Sequence, residues 1–168
     1  MSNIKIKSPY LNHPNRLADV IAAIQALGSY KFYKLSVEKW ADRITGSKDE
    51  ENWKTVFKEH PEFFRFDSDR KRVSLVLRRN YRRNYDVDLE QRLTYEELQE
   101  LKTKDKSRLD DRISREPLSN SDIAILVSTA IDMHARALQH KKEVEWWKPA
   151  IFGLLGVIIG ALIKGFME

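Results

Sequence analysis

The chain has 168 residues, a formal charge of +5 and 33% charged residues, with a mean hydropathy of −0.55. That length holds one compact domain with an appendage, or two very small domains, and most of it is built for water. The absence of cysteine excludes disulfides, thiolate metal sites and cysteine nucleophiles.

In chain order, Met1 to Lys7 carries no apolar run, so no secretory signal is expected. Asn12 or His13 before Pro14 reads as a helix start. Leu17, Val20, Ile21, Ile24 and Leu27 then fall on one face of a helix that Gly28 would stop. A short extended piece follows from Tyr30 to Leu35. Ser36 stands where it can cap a second helix, with Val37, Trp40, Ala41 and Ile44 buried and Gly46 as the stop. Asp49, Glu50 and Glu51 suit the positive end of a third helix, which buries Trp53, Val56 and Phe57 and is closed by Pro61. The period then changes to two. Phe64 and Phe66 alternate with Arg65 and Asp67, and Val73, Leu75 and Leu77 alternate with Ser74, Val76 and Arg78, around a turn at 68–71.

The order helix, short strand, helix, helix, hairpin resembles the winged helix-turn-helix superfamily across residues 14–80, in topology and pattern. The resemblance implies that the third helix enters a major groove and that the hairpin wing touches DNA backbone or minor groove. Carried onto this chain, it nominates Lys54, Thr55 and Lys58, with Asn52 and Glu59 also on the outer face. Residues 49–60 hold four acids against two lysines, a poor surface to press on phosphates. The wing is the opposite. Residues 65–83 hold eight basic side chains against Asp67 and Asp69. Arg70, Lys71, Arg72, Arg78, Arg79, Arg82 and Arg83 are therefore the expected contact set. From Arg78 to Tyr85, guanidinium groups interleave with tyrosine rings, which suits phosphate pairing and base stacking. The same charges suit anionic lipid headgroups, or pairing with acids elsewhere in the chain, and all three alternatives stay open.

Thr94 and Glu97 form a capping box, strengthened by Glu96. Leu98, Leu101 and Leu109 give thin apolar patterning, and residues 102–115 read as a solvated helix or flexible arm. Pro117, Ser119 and Ser121 mark a new start. Ile123, Ala130, Ala137 and Val144 recur every seven residues, with Leu126, Met133, His140 and Trp147 three later. This heptad-like helix either packs back on the N-terminal domain or forms a parallel coiled-coil stalk.

Every residue from Ala150 to Ile163 is apolar or glycine. Such a run spans about 21 Å as a helix, short of a hydrocarbon core of about 30 Å. Trp146, Trp147, Lys148 and Lys164 extend its reach, and Pro149 to Met167 spans about 28 Å. The expectation is a single-pass tail anchor over 148–168. Arg136, Lys141, Lys142 and Lys148 would keep the N-terminal side cytoplasmic. Gly156 and Gly160, with Gly153 nearby, make a GxxxG face on which a homo-oligomer could form.

No HExxH, GxGxxG, phosphate loop or G-x-S-x-G occurs, and His134 and His140 are not at metal-ligand spacing. No catalytic residue, metal or cofactor is expected. The expected fold is mainly α with a small β-hairpin: a winged-helix-like domain at 1–85, a charged connecting helix or linker at 86–118, an amphipathic heptad-like helix at 119–147 and a transmembrane anchor at 148–168. The expected function is a non-enzymatic, membrane-tethered adaptor or sensor binding a cytoplasmic protein or nucleic acid through its basic wing. The alternative is an oligomerising membrane effector that perturbs the bilayer through its glycine-containing helix.

Overall fold

A computed structural model describes residues 8–47, 49–145, 151 and 153. The chain is mainly helical with two small antiparallel sheets. A 3-10 turn at Pro9–Leu11 leads to α1 (Arg16–Ser29), β1 (Leu35–Ser36), α2 (Val37–Thr45), α3 (Glu50–Glu59), β2 (Phe64–Phe66) and β3 (Arg72–Leu75). A second 3-10 turn, Leu77–Asn80, passes into β4 (Tyr85–Asp86), β5 (Gln91–Arg92), α4 (Tyr95–Lys104), α5 (Lys106–Arg112), β6 (Ile113–Ser114) and the long α6 (Asn120–Glu145).

Local chemistry sets the boundaries of α2 and α3. The Ser36 side chain accepts from the Lys39 N–H, and Gly46 leaves α2 at φ +67°, a conformation that costs glycine little. Asp49 accepts from the Asn52 N–H at the start of α3. The expected stop at Gly28 is not observed, because α1 continues to Ser29 and Tyr30 turns extended. Gly28 serves packing instead. A Cβ there would stand 2.9 Å from Ile123 Cγ1, so the missing side chain lets α6 approach α1.

The first sheet has the order β1-β3-β2, with Leu35 opposite Val73 and Phe64 opposite Leu75. Trp40, Trp53, Phe57, Phe64, Ile24 and Leu27 fill the core beneath it, and the Trp40 indole N–H is satisfied by the Val73 carbonyl at 3.0 Å. The second sheet has the order β5-β4-β6 and brings residues 85–86 against both 91–92 and 113–114. Residues 86–118 thus contain three short strands and two helices, α4 being capped by the reciprocal Thr94–Glu97 box.

Helix α6 lies along α1 and the first 3-10 turn. Ala130 is fully buried, and Ile123, Leu126, Val127 and Ala137 pack on the core. Of the heptad-like seam, Met133 and His140 are exposed; His134, outside the seam, is half-buried against Tyr10. The seven-residue recurrence of Ile123, Ala130 and Ala137 thus packs back on the N-terminal core. Within the expected anchor, Gly153 is helical and exposed; Gly156, Gly160 and most of 148–168 lie outside the described residues. Among the described residues, no helix is long and apolar enough to cross a membrane.

Candidate anion-binding surface

The basic residues of the expected wing have different fates. Arg78 is fully buried. Its Nε donates to the Glu116 carbonyl (2.8 Å), Nη1 to those of Leu27 (2.9 Å), Tyr30 (2.6 Å) and Phe32 (3.4 Å), and Nη2 to those of Lys31 (3.2 Å) and Arg115 (2.7 Å). Burial pulls its pKa down to about 10, so it remains charged at neutral pH. Arg78 is thus a structural cation and not part of the exposed contact set. The period-two reading turned it outwards, but β3 ends at Leu75, Val76 leaves the extended conformation (φ −59°, ψ −49°), and the 3-10 turn rotates Arg78 into the core.

Arg83 is also occupied. Its Nε donates to the Ile113 carbonyl (2.8 Å) and Nη2 to those of Leu109 (3.0 Å) and Asp110 (2.7 Å), which closes the C-terminal end of α5. The tyrosines of this stretch are not free platforms for bases. Tyr85 is buried, and the Tyr81 hydroxyl donates to Asp122 Oδ2 at 3.0 Å. Arg79 and Arg82 are exposed, with Arg79 Nη1 3.5 Å from the Phe66 carbonyl.

Arg70, Lys71 and Arg72 are exposed where the β2–β3 hairpin turns. Asp67 organises that turn. Its Oδ1 accepts from the N–H groups of Lys71 (3.1 Å) and Arg72 (3.0 Å), while Arg70 takes φ +56°. Burial alone would raise the Asp67 pKa, but these backbone donors outweigh it and hold the carboxyl below its usual range. Of the two acids among the wing's bases, Asp67 therefore spends lone pairs on the turn, while Asp69 is exposed.

The hairpin and α3 enclose a groove of about 460 Å³. Lys54 and Lys58, four residues apart, line one wall, and Arg65 and Arg70 line the other. Thr55, the third helix candidate, is exposed but does not line the groove; its hydroxyl donates to the Glu51 carbonyl. Of the acids at α3, Asp49 and Glu59 are engaged away from the groove, Glu51 pairs with the groove's own Lys54, and Glu50 is exposed. Asp49 caps the helix, Glu59 accepts from Asn12 Nδ2 at 3.0 Å and pairs with Arg16 at 3.1 Å, and Glu51 is 3.5 Å from Lys54. Counting charges along α3 hid this segregation. Arg65 was legible as an outward residue, since it stands between the inward Phe64 and the half-buried Phe66.

The histidines do not converge. His60 is buried with Nδ1 3.0 Å from Glu62 Oε1, and His140 is exposed on α6. Among the described residues, no three His, Asp or Glu side chains are grouped to hold a metal ion. Comparison of the chain with family models, curated proteins and solved structures gave no match.

Proposed function

We propose that residues 16–75 form a winged-helix-like module that binds nucleic acid through the groove between α3 and the hairpin. In this reading it belongs to a non-enzymatic adaptor or sensor, tethered to a membrane by residues 148–168 with its N-terminal side in the cytoplasm. The observation that carries the reading is the groove itself. Lys54, Lys58, Arg65 and Arg70 line it against Asp67 alone among the lining acids; Asp67 accepts from the turn's backbone N–H groups, Asp49 caps α3 and Glu59 pairs with Arg16. The chain order α1-β1-α2-α3-β2-β3 and the sheet order β1-β3-β2 support it as well. The third helix and the wing are the elements through which winged helix-turn-helix proteins meet DNA. Arginine brings a fork that matches phosphate oxygens, and lysine a mobile point charge.

The test is fluorescence anisotropy of the full chain in detergent with a short labelled duplex across a salt series. Four phosphate contacts predict a log–log salt slope of roughly −3 to −4, and losing two of them reduces it by about two. Lys58→Gln with Arg70→Gln is the variant that should do so. Absent binding at low salt, or a slope unchanged in the double variant, refutes the groove. Binding to phosphatidylserine vesicles without duplex binding would assign the surface to lipid instead. Removing residues 148–168 should move the chain from the membrane fraction to the supernatant, and retention in the membrane fraction would refute the tether.

A further inference from the structure

A second cleft lies at the other edge of the first sheet, where β1, α2 and the start of β3 face α5 and β6. It measures about 720 Å³, within the range of roughly 300–1,000 Å³ that small-molecule sites occupy. We infer that it binds a nucleoside phosphate, with the phosphates on Lys34, Lys39 and Arg72 and the base beside Phe32 and Tyr33.

The charges argue for the phosphate end. Six basic and three acidic side chains line the cleft. Three of the bases are committed: Arg43 donates to the Tyr30 hydroxyl (2.6 Å) and lies 3.9 Å from Asp42, Arg83 pairs with Asp110, and Arg112 pairs with Asp88. Those pairs also neutralise Asp42 and Asp110. Lys34, Lys39 and Arg72 have no carboxylate within ion-pair distance among the described residues, and of the lining acids Asp111 alone opposes them there without an ion pair. Register draws the three together, because β1 pairs with β3 so that Ser36 stands opposite Arg72, and α2 begins at the next residue.

The rings argue for the base. Phe32 and Tyr33 are half-buried in the cleft wall. The Arg112 guanidinium lies 5.8 Å from the Phe32 ring centre and that of Arg115 lies 5.1 Å from the Tyr33 ring centre. The Tyr33 N–H is fixed to Ser114 Oγ at 3.0 Å. Rings held this way are oriented before a ligand arrives. A simple anion needs no aromatic wall, and an apolar ligand needs no cluster of unpaired cations. A planar heterocycle carrying phosphates uses both. It comes either as a free nucleotide or as one unit of a nucleic-acid strand.

The experiment is calorimetric titration of the full chain in detergent with ADP, with inorganic pyrophosphate and with a short oligothymidylate. ADP should bind more tightly than pyrophosphate. Lys34→Gln with Arg72→Gln, and separately Tyr33→Leu, should each weaken ADP binding about ten-fold or more. Tyr33→Leu should leave pyrophosphate unchanged. Lys58→Gln with Arg70→Gln, in the α3 groove, should leave ADP within about two-fold, so the two sites stand or fall separately. Matched melting curves confirm that Lys34→Gln with Arg72→Gln is folded and keep the test valid if Tyr33→Leu is not. Oligothymidylate that competes with ADP, and is lost with the Lys34/Arg72 pair, assigns the site to a strand; failure to compete assigns it to a free nucleotide. The inference is overturned if neither ligand binds, if pyrophosphate binds as tightly as ADP, or if the Lys34/Arg72 variant binds like the parent.

Discussion

Replacing Arg78 by methionine removes a buried cation that joins three segments: the end of α1, residues 30–32 and residues 115–116. Six contacts are lost. At roughly 1.5–3 kcal/mol for each hydrogen bond to a charged group, they would sum to roughly 9–18 kcal/mol. That is as large as the whole stability of a typical domain, about 5–15 kcal/mol, so the contacts do not add. Burying the guanidinium costs several kcal/mol, which methionine does not incur, while the abandoned carbonyls lose their partners. The net expectation is a loss of about 3–5 kcal/mol. For a chain of this size that lowers the melting temperature by roughly 6–20 °C. Lysine at 78 keeps the charge but offers three donors from one point, so it should recover less than half of the loss. Calorimetric melting of the full chain is the assay. A methionine variant melting within about 2 °C of the parent would refute the cage. A variant that melts normally but no longer binds polyanions would return Arg78 to the surface.

Gly28→Ala places a methyl group against Ile123 and should cost about 1–2 kcal/mol in chemical denaturation. Most of that cost should vanish in an Ile123→Ala background, and equal costs in both backgrounds would refute the contact. Arg83→Gln should lower hydrogen-exchange protection at the end of α5 by about 1–2 kcal/mol, without changing duplex binding. Asp86 is 1% exposed, and its carboxylate accepts from the N–H groups of Asp88 (2.9 Å) and Leu89 (3.2 Å) and from Arg108 (3.0 Å). Burial acts to raise its pKa, but these donors prevail and hold it below the ordinary value of about 3.9. Its contribution is therefore complete above the unfolded-state pKa and disappears as the pH falls through the folded one. Melting temperature against pH should show a shallower acid limb in Asp86→Asn, and superimposable limbs would refute the assignment.

The first sheet and its helices were legible because their signals are local. Ser36 and Gly46 delimit α2, Asp49 and Pro61 delimit α3, and the alternation of Phe64 with Phe66 marks β2. The second sheet carried no such signal. Its strands are two residues long, too short to alternate, and Tyr85 of β4 meets a partner twenty-nine residues away at Ser114. A charged stretch such as 102–115 resembles a solvated arm until its cations are seen to serve distant groups. Arg108 reaches Asp86, and Arg112 reaches Asp88. The aromatic and basic cleft was hidden for the same reason, since residues 32–34, 39, 72 and 111–114 meet only in the fold.

The basic run from Arg65 to Arg83 resembles one surface in the sequence but performs separable tasks. Arg78 and Arg83 terminate carbonyl-rich corners and are consumed by the fold. Arg65 and Arg70 face α3 across one groove, and Arg72, two residues further along, faces the opposite cleft. Neighbouring residues on β3 point to opposite faces, but these two straddle the hairpin turn, where Arg70 has positive φ and the strand begins only at Arg72. The turn fixed by Asp67 is therefore what divides the charge between the two sites. Asp67→Ala removes the acceptor for the Lys71 and Arg72 N–H groups, so it should disturb both binding surfaces while leaving the Arg78 cage intact. Substitutions at Arg70 or Arg72 should each affect one surface only. If Asp67→Ala altered neither, the turn would not be what orients these side chains, and the division of the basic run would need another cause.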